Sequence, residues 1–148
     1  MCGIAGLIHK GKTVNIGKEL KDMLQALKHR GPDSTGYALY GEGESDNYIM
    51  RFKVGENVKE GSTAVNEDKS VYDSRRKQVD QHIRDLGANI LQDQQLTPYS
   101  FRYVIKYDKD LMEFSKKIES VEMTEILSLG KTLELVKDIG DATAVSKQ

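Results

Sequence analysis

The chain carries one cysteine, two prolines and no tryptophan in 148 residues. A single thiol excludes an intramolecular disulfide and a cysteine-rich zinc site, and it points to a reducing, cytoplasmic setting. His9, His29 and His82 have no metal-ligand spacing among themselves or with Cys2, so no metal site is expected. Charge of one sign is also missing. With 22 Lys and Arg against 23 Asp and Glu the net charge is −1, which removes the electrostatic case for nucleic acid as a partner. Long apolar runs are absent too: Ile4–Ile8 and Ile126–Leu129 fall far short of a membrane span. The N-terminus has neither the basic region nor the apolar run of a signal peptide, so no membrane partner is expected. There is no internal repeat, no low-complexity tract, no phosphate-loop pattern and no cofactor motif. What remains is 38% hydrophobic and 30% charged, enough for one ordinary core with room for an insertion.

The pattern along the chain predicts its elements. "CGIAGLI" is short, partly β-branched and rich in glycine, and it reads as a buried first strand. From Gly17 to His29 the positions Leu20, Met23, Leu24 and Leu27 follow helical spacing, with Asn15 as cap and "RGPD" as stop. "GYALYG" and "YIMRFKV" read as a hairpin around the polar segment 41–47. A boundary is expected near 58–70, within a polar stretch. Beyond it Asp73 caps a helix through Leu86 with Val79 and Ile83 on one face, and 89–94 reads as a further strand. Phe101, Tyr103, Ile105 and Tyr107 line one face of a strand, with Arg102 and Lys106 turned to solvent. Asp108 caps a helix carrying Leu111, Phe114 and Ile118, and "VEMTEILSLG" reads as a strand or strand pair whose neighbouring glutamates are solvated. Leu133, Val136 and Ile139 predict a last helix closed by Gly140. Residues 1–60 thus form one unit, 70–140 an inserted or associated α/β unit, and 141–148 a tail.

Two stretches carry chemistry. Cys2 becomes the first residue if Met1 is removed, and a thiol beside a free α-amino group is a nucleophile with its base attached. The thiol titrates near about 8.5 and the amine near about 7.7–8.0, so the amine can accept the thiol proton at neutral pH. Gly3, Ala5 and Gly6 would let a substrate approach the sulfur; the alternative is tight packing of an inert cysteine in a first strand. "HRGPDSTG" puts a guanidinium, a rigid Gly-Pro turn, a carboxylate and a hydroxyl within a few residues. It reads equally as a helix stop followed by a turn in which Asp33 accepts backbone N–H groups and pairs with Arg30.

Taken together, "MCGIAG" and "LKHRGPDSTG" resemble the opening of the class II glutamine amidotransferases, which are N-terminal-nucleophile hydrolases. "RGPDSTGYALYG" is most similar to the amidotransferase subunits related to glutamate synthase and N-methylglutamate synthase. The resemblance covers about the first forty residues. It implies an α+β chain belonging to the four-layer αββα sandwich, with an inserted α/β unit. It further implies that Cys2 attacks the side-chain amide of glutamine, forms a thioester and releases ammonia, and that Arg30, Gly31 and Asp33 shape the pocket beside the nucleophile. No cofactor is needed; a flavin would sit on the partner synthase that receives the ammonia.

The departures from that family are specific. The chain has no Asn-Gly pair for an oxyanion hole, and its only His-Arg pair is at 29–30, so no Gly-His-Thr-Arg-like segment can hold the substrate carboxylate. Each missing oxyanion donor costs on the order of 10²–10³ in rate. The chain therefore reads as the N-terminal part of an amidotransferase, completed elsewhere. Two alternatives stand beside it: a non-catalytic interaction or regulatory fragment of such an enzyme, and an N-terminal-cysteine hydrolase of other acyl amides. A homo-oligomer remains open.

Overall fold

A computed structural model describes residues 2–11, 15–30, 33–43, 46–56 and 67–147. The elements are α1 (Ile16–Ala26), a 3-10 turn (Lys28–Arg30), β1 (Ser34–Tyr40), β2 (Tyr48–Lys53), α2 (Lys69–Asp85), β3 (Asn89–Gln95), β4 (Ser100–Lys106), α3 (Leu111–Ile118), β5 (Glu125–Gly130), β6 (Leu133–Ile139) and α4 (Ala142–Val145). The class is α+β with antiparallel sheets. β3-β4-β2-β5 form one sheet, and β1 pairs with β6 in a second.

The main core lies on one face of the four-stranded sheet. Met50 stands opposite Tyr103 and Phe52 opposite Phe101, so alternate residues of the two central strands form a continuous aromatic surface. The Phe52 ring stacks on Phe101 at 5.3 Å and meets Tyr103 edge-on at 5.0 Å. Tyr72, Val79 and Ile83 of α2 and Phe114 and Ile118 of α3 close over that surface. The expected aromatic face of 101–107 is therefore the core. Helix caps fall slightly away from their expected places. Asp68 rather than Asp73 accepts the Ser70 N–H at 2.8 Å, while Asp73 sits inside α2 and pairs with Lys69; Asp110 rather than Asp108 caps α3. In each case the first-turn N–H groups are met by the nearer carboxylate.

Three expectations for local structure are overturned. The stretch expected as a buried first strand pairs with no strand among the described residues, and Ile4 and Ile8 are each 92% exposed. It keeps the two-residue alternation of an extended chain, with Gly3, Ala5 and Leu7 half-buried, but it has no ladder. The expected hairpin of β1 with β2 does not form. Beyond Tyr40 the Gly41 N–H donates to the Thr132 carbonyl, and a Cβ on Gly43 would lie 2.8 Å from the Thr132 methyl. The chain thus runs along the β5–β6 turn and crosses to the other sheet, where β2 is inserted between β4 and β5. The predicted helix at 133–139 is strand β6. Its buried positions are Val136 and Asp138, two apart, and the period-three spacing of Leu133, Val136 and Ile139 is incidental. Residues preceding 58 and residues following 70 contribute strands to both sheets.

A second, smaller core joins the β1–β6 pair to α1 and α4. Tyr37, Val136, Ala142 and Val145 are buried there, with Leu20 and Leu24 of α1 against them. Asn15 caps α1 as expected, its side chain accepting the Lys18 N–H at 3.1 Å. Gln25 ties α1 to α4: its amide donates to Asp141 at 3.1 Å and accepts the Thr143 N–H at 3.3 Å. Among the described residues no helix is long and apolar enough to cross a membrane.

Candidate active site

The end of α1 builds the site. The helix closes at Leu27, whose N–H donates to the Leu24 carbonyl at 3.0 Å, and the tight turn that follows carries the Arg30 N–H to the Leu27 carbonyl at 2.9 Å. Gly31 and Pro32 lie outside the described residues. The chain re-emerges at Asp33, whose carbonyl accepts the Gly140 N–H at 3.2 Å. Thr35 Oγ1 donates to the Gly140 carbonyl at 2.8 Å. Gly140 has φ +131°, a conformation that side chains rarely adopt, so the β6–α4 turn can reach back to this loop. Asp33 and Thr35 are thereby pinned from the far end of the chain. Neither Arg30 nor Asp33 is without an interaction partner.

The N-terminal segment arrives at the same place. A Cβ on Gly3 would lie 3.1 Å from the Leu27 Cβ and 3.7 Å from the Arg30 Cβ, so the segment lies closely against the end of α1 at this residue. Gly3, Leu24, Leu27, Ser34, Thr35 and Gly36 line a cleft of about 90 Å³. Cys2, the neighbour of Gly3, is exposed and free. The structure therefore brings the segment bearing the thiol onto the turn that carries Arg30, and ties Asp33 to the β6–α4 turn at Gly140. Among the described residues no group of three or more His, Cys, Asp or Glu side chains could hold a metal ion.

The larger polar constellation lies elsewhere and was not anticipated. Arg51 and Arg102 are directly opposite each other on β2 and β4, on the face turned away from the aromatic core. Like charges in that position repel. Glu134 of β6 lies between them, accepting from Arg51 Nε at 2.6 Å and from Arg102 Nε and Nη2 at 2.8 and 2.9 Å. Burial by itself would raise the Glu134 carboxyl, but the two guanidinium groups outweigh it and hold it below the ordinary carboxylate range. The expectation that the glutamates of this region are solvated fails at this residue. Asp138 is buried as well, and accepts the Tyr99 hydroxyl at 2.5 Å, whose pKa is pushed up by burial and by that carboxylate. The available sequence signal was the alternation Glu134, Val136, Asp138, together with one arginine in each of two strand-like segments, Arg51 and Arg102.

No family model matches the chain. It is 30% identical over 151 aligned positions, 99% of its own length, to a protein of Methanothermobacter thermautotrophicus provisionally named a glutamine amidotransferase. It is 52% identical over 40 residues, 27% of the chain, to a protein of Methanocaldococcus jannaschii provisionally named a glutamine-hydrolysing asparagine synthetase. A third similarity, 49% over 43 residues and 28% of the chain, is to the glutamine amidotransferase-like protein GlxB of Rhizobium meliloti. The chain spans 46% of the length of the first of these proteins, and 8% and 14% of the other two.

Proposed function

We propose that the chain is the nucleophile-bearing part of a class II glutamine amidotransferase, with Cys2 as nucleophile. The similarity to proteins named for glutamine amidotransfer or glutamine hydrolysis supports a glutamine amidotransferase family. The observation that carries the reading is the packing of Gly3 on Leu27 and Arg30, which joins the N-terminal thiol segment to the Arg-Gly-Pro-Asp loop.

In this reading, loss of Met1 exposes the α-amine of Cys2, which takes the thiol proton. The sulfur adds to the side-chain carbonyl of glutamine. Collapse of the adduct breaks the C–N bond, and the departing nitrogen takes the proton back and leaves as ammonia. Water then cleaves the thioester, giving glutamate and regenerating the thiol. Arg30, Gly31 and Asp33 shape the pocket around the sulfur and take no part in bond making. The oxyanion donors and the carboxylate clamp lie on polypeptide outside this chain, and their addition completes an αββα sandwich. Ammonia passes to a partner synthase of glutamate-synthase type.

The test is intact mass of the purified chain before and after exposure to a glutamine-mimicking diazoketone, alongside ammonia release from glutamine. Loss of Met1 is expected for the purified chain, and one stoichiometric adduct, abolished by Cys2→Ala, once the polypeptide that carries the clamp and the oxyanion donors is added. Retained Met1, or no adduct and no ammonia even with the synthase subunit added, would leave the non-catalytic interaction fragment as the function. Equal turnover of simple acyl amides would overturn the preference for glutamine.

A further inference from the structure

A cleft of about 330 Å³ opens between α1, the β1–β6 pair and α4, away from the turn that carries Arg30. Among the described residues its charged lining is all cationic: Lys18 and Lys21 come from α1, and Arg51 from β2. Its apolar lining is Leu39, Val136 and Val145. The Tyr37 phenol at its wall is already committed, donating to the Ala142 carbonyl at 2.6 Å. Among the described residues the carboxylates paired with these cations are Asp22, which is 3.4 Å from the Lys21 ammonium, and Glu134.

Arg51 is the unusual member. It is only 9% exposed, its hydrogen bonding is confined to Nε on Glu134, and among the described residues nothing accepts from its two terminal nitrogens. The one carboxylate it contacts is shared with Arg102, which takes both oxygens. The terminal nitrogens of Arg51 are not enclosed by protein, so they present a planar fork of unused donors at the wall of the cleft. A guanidinium fork matches a carboxylate or phosphate bidentately, and the volume suits a small metabolite.

We propose that this cleft binds a small organic anion, its carboxylate or phosphate group held by Arg51, Lys18 and Lys21 and its short aliphatic body lying on Leu39, Val136 and Val145. The cleft shares no lining residue with the one beside Gly3, and the proposal does not depend on the reading of Cys2. A ligand here would bridge the two sheets through Arg51 and lock α1 on β1, so binding would stiffen the smaller core.

The experiment is a titration of the ¹⁵N-labelled full chain with acetate, butyrate, butyl phosphate and inorganic phosphate, with sodium chloride at matched ionic strength as control. The expected result is saturable shifts of the Gly17, Lys18, Leu39 and Ser146 amides, at lower concentration for butyrate than for acetate. Whichever of butyrate and butyl phosphate binds more tightly identifies the preferred head group. Lys18→Met with Lys21→Met, both on the surface of α1, weakens binding by about tenfold or more while leaving the remaining spectrum in place. Arg51→Lys, which retains the charge and removes the fork, weakens it further. Shifts no larger than those of chloride, shifts scattered away from the cleft, or affinity unchanged in the double lysine variant would overturn the site. Tighter binding of acetate or inorganic phosphate than of their butyl counterparts would overturn the assignment of an aliphatic body.

Discussion

Replacing Glu134 by glutamine removes one negative charge and keeps the shape. In the native chain the carboxylate, 18% exposed at its side chain, accepts three hydrogen bonds from two arginines that face each other across β2 and β4. The amide has only one acceptor oxygen and no charge. Arg51 and Arg102, with side chains 11% and 23% exposed, then face each other without the carboxylate that bridges them. Breaking a buried pair from one side costs about 3–5 kcal/mol, because an uncompensated charge is left behind. A loss of about 3 kcal/mol in urea unfolding is therefore expected for Glu134→Gln, towards the lower end because Arg102 retains some access to water. Replacing Glu134, Arg51 and Arg102 together by methionine restores stability to within about 1 kcal/mol of the native chain or improves it, since no charge then has to be desolvated. The pH dependence has a defined sign. The Glu134 carboxyl has a folded-state pKa below its ordinary value of 4.5, so its contribution is fully present above that value and is lost as pH falls through the lower folded value. The acid limb of the stability profile should flatten in Glu134→Gln. A loss smaller than about 0.5 kcal/mol at neutral pH, in the range of ordinary surface changes, would refute the placement of β6 over the two arginines.

Further perturbations separate the remaining parts of the fold. Phe52→Ala empties a fully buried position between Phe101 and Tyr103 and should cost about 3–5 kcal/mol by denaturant titration; a cost under 1 would mean that the two central strands are not in this register. Asp68→Ala should lower the melting temperature more than Asp73→Ala does, because only Asp68 caps α2; the reverse order would restore Asp73 as the helix start. Ile4→Ser combined with Ile8→Ser should shift stability by less than about 0.5 kcal/mol in the isolated chain, since both side chains stand in solvent. In the same chain Cys2 should react with a thiol reagent at the rate of an unfolded control, and a large protection factor would place the N-terminal segment in a ladder.

Where a segment's partner was chemically obvious, the sequence was enough. Asn15 and the spacing of Leu20 and Leu24 mark α1, the alternation of Phe101, Tyr103 and Ile105 marks β4 and its buried face, and Phe114 with Ile118 marks the inner side of α3. Cys2 beside the chain start and the Arg30-to-Asp33 loop were legible as a candidate site, because their residue types imply chemistry without coordinates. Partner choice was not legible. β1 and β2 read as a hairpin from their nearness in the chain, yet each pairs with strands distant in sequence, and only the close approach of Gly43 to Thr132 shows why the chain crosses over. β6 read as a helix because Leu133, Val136 and Ile139 recur at helical spacing.

By itself, then, the sequence determined that α1 starts at Asn15, that α2, α3 and β4 form and which faces of them are buried, and which thiol is the candidate nucleophile, since all of these follow from local sterics and side-chain chemistry. Only the tertiary structure decided that Glu134 and Asp138 point inward, that two arginines share one carboxylate, and that Gly3 meets Arg30. A charged residue on a strand is read as solvated until its counter-charge is found, and here the counter-charges come from strands far away in sequence that only the folded sheets bring within hydrogen-bonding distance.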